Sequence, residues 1–407
     1  MAANTRFASP QQNGTVGSRA DLELFGNELS VAEHHNLIHL DNALHQRWSL
    51  GENMLLGWAP HSDGIALLIA PHWFLADLIH HPPGETSDPI DEFCRQLVVG
   101  RKEFSLRKLK QVASILESAV SYIELPAPLS GREQERHAIE RIVRRYGINY
   151  SENRAAVLFD VVNFSLLTPF QQMTQLNSLS YSINSAHSRM LDREIDINFA
   201  RSTTGDGFYI WNRDEGENAN ANLYHLMNLV LADNAIAQRK GKRHVAPSLR
   251  ACFHVGSSYE FHQSEGLSPT LYSYLVGDVT IELARLIEKA LPGQILVGDF
   301  RSTAIHETTS APAVSSNSST VRFVSSAQED LYKLKGLELS GEPIDSIKCY
   351  LTGSPIANGE FTVRRLSIKD KHGLSHHAFN AKMNIYRGEA EPIYLGIEDR
   401  KLAEAEA

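Results

Sequence analysis

Two aspartates carry the chemistry that the residue types and spacing allow. Asp160 stands inside the continuous apolar run "AAVLFDVVNF", and Asp206 stands in the Gly-Asp-Gly turn of "IDINFARSTTGDGFYIWN". A carboxylate in an apolar strand is costly unless it meets a cation or several donors. Two such carboxylates on adjacent strands would form a hard-oxygen site suited to Mg²⁺ or Mn²⁺, with substrate phosphates completing the shell. The competing reading is structural: Asp160 caps the following helix and Asp206 shapes a hairpin. Short motifs by themselves leave both open.

The elements that must position these residues follow from periodicity. "NMLLGWA" and "GIALLIA" predict two short strands and a turn. "FSLRKLKQVASILESAVSYIEL" places Leu109, Val112, Leu116, Ala119 and Ile123 at spacings of three and four, which predicts one helix with an apolar stripe. A second helix, about residues 132–146, carries Ile139, Ile142, Val143 and Tyr146 on one face and pairs Glu140 with Arg144 at i,i+4. Past Arg154 come a strand, the long helix of "TPFQQMTQLNSLSYSINSAHSRMLDR", two strands around the Gly-Asp-Gly turn, and the helix of "NLYHLMNLVLADNAIAQRK". "PSLRACFHVGSSYEF" then reads as a pair of strands, "DVTIELARLIEKAL" as a helix and "GQILVGD" as a strand. That order predicts an α+β fold, with helices over an antiparallel-rich sheet and a smaller mixed α/β domain in front.

The 407 residues predict two to three domains. Residues 1–20 read as a disordered lead, 21–130 as an N-terminal regulatory or dimerisation domain and 131–150 as a connector helix. Residues 151–355 read as the catalytic domain, with a flexible loop at 307–320, and 356–407 as a strand-rich C-terminal extension. The formal charge of −9 excludes the broad basic field of a non-specific nucleic-acid binder. Three distant cysteines, Cys94, Cys252 and Cys349, argue against a disulfide framework and for a reducing compartment. No signal peptide or 18-residue apolar run is visible, so the expected location is cytoplasmic and away from membranes. The histidines at 34, 35, 39 and 45 lack firm ligand spacing and read as surface or core residues.

Several of these segments, taken in order, resemble the catalytic domain of class III nucleotidyl cyclases, the adenylate and guanylate cyclase superfamily. "VLFDVVNFS" resembles that family's first strand, "TTGDGFYIW" its hairpin, and "LRACFHVGSS" its strand with an Arg followed by His-x-Gly. "YLVGDVTIELARLIEKALPGQILVGD" resembles its arginine-bearing helix and closing strand, and "YKLKG" its final Lys-Gly turn. The resemblance implies a metal set of Asp160, Val161 and Asp206 holding two divalent cations (Mg or Mn). It implies substrate contacts from Phe164, Ser165, Arg250 and Lys335, with Arg285 stabilising charge at the α-phosphate. It further implies a nucleoside triphosphate substrate and a homodimer with active sites at the interface.

Three positions depart from that family. The base-reading positions fall on Ser202 and Tyr274, and the ribose-binding Asn falls on Ile281. Ser202 and Tyr274 match neither the adenylate nor the guanylate pairing, and a Tyr would shrink the base pocket while offering a phenol. The expectation is therefore a pyrimidine (UTP or CTP) cyclase, as in bacterial Pycsar anti-phage systems. The alternatives are an adenylate or guanylate cyclase, or a catalytically dead cyclase-fold nucleotide sensor.

Overall fold

A computed structural model describes residues 29–75, 93, 96–99, 101–195, 197–241, 245–264, 271–306, 314–354 and 362–398. The chain divides into two units, residues 1–150 with 259–275, and residues 151–258 with 276–407. The expected lead at 1–20 lies outside the described residues.

In the first unit, helix α1 (Val31–Trp48) starts at a reciprocal cap. Ser30 Oγ accepts from the Glu33 amide, and the Glu33 carboxylate accepts from the Ser30 amide. Strands β1 (Asn53–His61) and β2 (Gly64–Pro71) form an antiparallel hairpin, and β3 (Val120–Glu124) pairs with β2. One face of this small sheet presents Leu55, Trp58, Ile65 and Leu67, which pack with α1 and with α3 (Glu133–Arg144). The other presents Met54, Leu56, Ala66 and Leu68 to α2 (Leu106–Ile115). Burial on both faces is why these strands read as unbroken apolar runs.

The single helix expected from "FSLRKLKQVASILESAVSYIEL" is divided. α2 stops at Ile115, Glu117 adopts φ 49°, and Val120–Glu124 become β3. Leu109, Val112 and Leu116 keep the helical stripe, whereas Ile123 is buried from the strand, opposite Ile65. The β-forming Val120, Tyr122 and Ile123 gain a ladder on β2 that a longer helix would leave unpaired.

Lys102 lies inside this unit, 1% exposed, donating Nζ–H to Leu97 O at 2.8 Å. Its amide donates to Glu140 Oε1 (2.6 Å), and Glu140 Oε2 accepts from Trp58 Nε1 (2.7 Å). Arg144 approaches the same carboxylate at 3.7 Å, the i,i+4 pair expected from the sequence. Burial pushes the Lys102 ammonium down to about 7, with Arg144 adding to the shift and Glu140 opposing it. Between about 7 and the ordinary lysine value the unfolded chain binds the extra proton, so this group makes stability rise with pH across that window. Lys102→Met is expected to raise the melting temperature at pH 7 and to flatten its rise between pH 7 and 10, measured by calorimetric scans.

The second unit is built on a larger sheet in the order β14-β16-β9-β7-β4-β6-β5. Its strands are β4 (Asn149–Val161), β5 (Phe199–Thr203), β6 (Gly207–Asn212), β7 (Leu249–Ser264), β9 (Ile295–Gly298), β14 (Ser346–Leu351) and β16 (Ser375–Arg387). β15 (Arg365–Lys369) and β17 (Ala390–Leu395) also pair with β16, whereas β8 (Leu271–Val276) belongs, up to Leu275, to the first unit. The β7–β9 pairing is parallel; β4–β6, β5–β6, β9–β16 and the pairings of β14, β15 and β17 with β16 are antiparallel. The α+β architecture expected from the sequence is therefore present, with a large, mostly antiparallel sheet covered by helices.

Three segments differ from expectation. "PSLRACFHVGSSYEF" forms one long strand, β7, because no turn interrupts its ladder. In the expected C-terminal extension, β16 runs between β14 and β9 as an interior strand of the same sheet. In the expected loop at 307–320, Val314–Ser319 form β11, paired with β10 (Arg301–His306), and Thr320 opens a helix; residues 307–313 lie outside the described residues.

Period-two alternation gives the sheet two distinct faces. Val157, Phe159 and Val161 of β4, Phe253 of β7 and Val297 of β9 enter one core with α4 (Pro169–Leu191), α5 (Glu217–Arg239) and α7 (Thr320–Asp330). The intervening residues, Leu158 and Asp160 of β4 and Arg250 and Cys252 of β7, belong to the opposite face. Helix α6 (Asp278–Lys289) reaches that face: Tyr209 Oη donates to Thr280 O (3.2 Å), and Arg250 Nη1 donates to Ala290 O (2.9 Å). No helix among the described residues is long and apolar enough to cross a membrane.

Candidate functional site

Asp160 is the penultimate residue of β4, opposite Gly207 of β6, and the next amide, Val161 N–H, donates to Asp206 O at 2.9 Å. A Cβ on Gly207 would stand 1.8 Å from Phe159 O, so only glycine lets the two strands close here. That approach brings Asp206 near enough to push the Asp160 carboxyl up. Thr204 Oγ1 donates to Asp206 Oδ1 at 3.1 Å and orients it in the turn.

The cation beside Asp160 is Arg250. Its Nε–H donates to Asp160 Oδ2 at 2.6 Å, while Nη1–H holds the carbonyl that ends α6. Burial pushes the Asp160 carboxyl up, Arg250 pulls it down, and the neighbouring Asp206 pushes it up again, for a net rise. The net direction, set first by burial, marks Asp160 as an under-compensated carboxylate, the condition that favours an added cation.

The donor set fits a divalent metal. Asp160 and Asp206 are hard oxygen donors from adjacent strands, drawn together by the glycine between them. No group of three or more His, Cys, Asp and Glu is arranged as a metal set among the described residues. Two carboxylates are nevertheless what Mg²⁺ sites that borrow substrate phosphates offer.

The other expected positions fall as follows. Phe164 and Ser165 open a short 3₁₀ turn (Phe164–Leu166) after Asn163 in the left-handed region, and the long helix starts at Pro169, capped by Thr168. The first amides of such a turn have no acceptor within it. Ser202 pairs with Tyr209 across β5 and β6, and Arg201 beside it reaches Ser180 and Asn184 of α4. Lys335 is exposed at the end of a 3₁₀ turn, and its carbonyl accepts from Arg193. Tyr274 belongs to the first unit, stacked on Phe261 at 5.5 Å. Ile281 is 53% exposed on α6.

Arg285, on α6, is held by a residue the sequence did not single out. Its Nε lies 3.4 Å from Asp370 Oδ2, in the turn between β15 and β16. Burial pushes the Asp370 carboxyl up, but the amides of His372 and Leu374, His376 and Arg285 outweigh it and hold it below the usual range. His376 in turn contacts Glu282 at 2.9 Å through Nδ1. The "DKHG" stretch announces a tight turn, but nothing in it shows that its carboxylate reaches an arginine 85 residues earlier. On the same face, the Cys252 thiol is pushed far up by burial, which removes it as a nucleophile.

Since Arg250 occupies the oxygen that a metal would use, Arg250→Ala is expected to raise Mn²⁺ affinity at pH 8 by about tenfold, ~1.4 kcal/mol. Isothermal titration calorimetry on the nucleotide-free protein measures this, and unchanged affinity would show that the ion pair does not compete with the cation.

No protein-family model matches the chain, and no curated protein matches it. Among solved structures, the guanylyl cyclase Cya2 is 11% identical, with 57% of this chain and 92% of that chain covered at a TM-score of 0.35. The guanylate cyclase domain of RhGC from Catenaria anguillulae, in complex with GTP, is 12% identical, covering 57% and 97% at 0.33. The adenylyl cyclase CyaB from P. aeruginosa is 11% identical, covering 42% and 96% at 0.27. At these values the likeness decides nothing about activity.

Proposed function

We propose that this chain is a nucleotidyl cyclase, converting a nucleoside triphosphate to a 3′,5′-cyclic nucleotide and pyrophosphate. The observation that carries the reading is the meeting of Asp160 and Asp206 at the end of two paired strands, with Arg250 against them. The ordered motifs between Arg154 and Gly336 support it.

In the reaction the ribose 3′-oxygen loses its proton and bonds to the α-phosphorus as the bond to pyrophosphate breaks. Two divalent cations, when bound, supply acidity to the 3′-hydroxyl and charge neutralisation for the triphosphate. Asp160 and Asp206, with the Val161 backbone, would hold them. Arg250, once its bond to Asp160 is exchanged, would meet phosphate with a planar donor fork. The amides of Phe164 and Ser165 and the ammonium of Lys335 would add phosphate contacts. Arg285, whose Nε is held by Asp370 and whose Nη1 lies 3.8 Å from Glu288 Oε2, would meet charge developing at the α-phosphate. In this reading the active protein is a homodimer with its sites at the interface.

Ser202 and Tyr274 favour a pyrimidine over a purine, because a phenol at the base position reduces the space for a second ring. A role in anti-phage signalling follows from the Pycsar resemblance alone. The second reading, a nucleotide sensor without turnover, is favoured by one observation: Ile281, apolar and exposed, where the ribose-binding Asn is expected.

Purified protein with Mn²⁺ and each of the four ribonucleoside triphosphates separates these readings. Pyrophosphate and a cyclic monophosphate from UTP or CTP are expected. Product from ATP or GTP alone removes the pyrimidine assignment, and nucleotide binding without product leaves the sensor. Asp160→Asn and Asp206→Asn should each lower turnover at least ~100-fold, a loss typical of removing a charge-stabilising group. Their melting temperatures should stay within about 4 °C of the parent, equivalent to ~1 kcal/mol in a unit of this size.

A further inference from the structure

The first unit contains a cavity of about 500 Å³, within the range of small-molecule sites. Its walls come from four separate stretches: the end of α1 and the turn into β1, His72 after β2, residues 146–148 after α3, and the outer end of β7. Three rings dominate them. Trp48 and Tyr146 meet edge to face at 6.0 Å, and Tyr146 is fixed by its Oη–H to Asp41 Oδ1 at 2.7 Å. Phe261, the third, is backed by Tyr274.

The polar side chains in the wall are Asn53, His72, His262 and Gln263. His72 uses Nδ1 on Glu52 O (3.1 Å), so Nε2 is its remaining hydrogen-bonding atom. Asn53 spends Nδ2 on Arg47 O (2.9 Å) and keeps its carboxamide oxygen as an acceptor. No Asp, Glu, Lys or Arg is among the described lining residues. A ligand with a full charge would find no Asp, Glu, Lys or Arg to pair with among the described lining residues, whereas a flat neutral ring bearing a donor would find both stacking surface and an acceptor.

Backbone geometry adds an independent observation. Ser49 and Leu50, neither a glycine, both adopt left-handed conformations (φ 51° and 57°), and Gly51 follows at φ 95°. Leu50 is 49% exposed, an apolar side chain presented in the cavity wall by a backbone that glycine would adopt without strain. Strain retained in a cavity wall is the pattern of a binding site rather than of a stability element.

We propose that this cavity binds a small, uncharged, planar aromatic molecule, on the order of one or two fused rings, enclosed by Trp48, Tyr146 and Phe261 with Asn53 and His72 as hydrogen-bond partners. The site is independent of Asp160 and Asp206 and stands whether or not the chain is a cyclase.

Saturation-transfer NMR on the full chain tests this with indole and benzamide as neutral probes and benzoate and benzylammonium as charged ones. The neutral probes are expected to bind and the charged ones to bind at least about tenfold more weakly, as for an unpaired charge in an apolar site. Asn53→Phe, which fills the cavity, should abolish binding. Leu50→Gly should raise the melting temperature by a few degrees while weakening the neutral probes, a combination that general damage to the fold would not produce. Leu50→Gly also carries the test by itself if Asn53→Phe fails to fold. No binding by the parent protein at ~5 mM probe, weaker than even fragment affinities, would overturn the proposal. Binding unchanged in the folded variants, or charged probes binding as well as neutral ones, would equally overturn it.

Discussion

Everything at the candidate site depends on how a carboxylate is kept at 7% exposure at the end of an apolar strand. The sheet supplies no neutral solution. Asp160 is flanked by Phe159 and Val161, whose side chains are committed to the opposite core. Arg250 answers one oxygen, and the same arginine caps the carbonyl end of α6, where a positive group also suits the helix dipole. One guanidinium thus serves a strand end and a helix end together. Burial first, and the nearby Asp206 after it, prevent that compensation from being complete.

Glycine at 207 is the steric counterpart of this electrostatic arrangement. Without a Cβ, β6 closes on Phe159 O and brings the turn that holds Asp206 against β4. The Gly-Asp-Gly stretch is accordingly a close-packing device as much as a turn. Gly205, at φ 97°, makes the reversal, and Gly207 makes the approach.

Much of this was legible in the sequence, because apolar alternation reports which face a residue takes. The strand that ends after Asp160, the hairpin around the Gly-Asp-Gly turn, and α4, α5 and α6 all follow from their apolar periodicity. What escaped involved partners distant in sequence. The Asp160–Arg250 pair spans 90 residues, and the bond from Arg285 to Asp370 spans 85; neither leaves a periodic trace. The division of the segment after Ser105 escaped for a different reason. Leu109 through Ile123 satisfies a helical stripe, and only the free edge of β2 decides in favour of a strand at Val120.

The position of β16 has a consequence for the order in which the chain can fold. Its residues 375–387 lie between β14 and β9, so the sheet carrying Asp160 is divided until a segment more than 200 residues downstream has been inserted. Such long-range closure is slow and leaves strand edges of β9 and β14 open while it waits. During synthesis, β4 to β9 emerge from the ribosome well before the strand that completes their sheet, making this unit a natural client for chaperones that shield open edges.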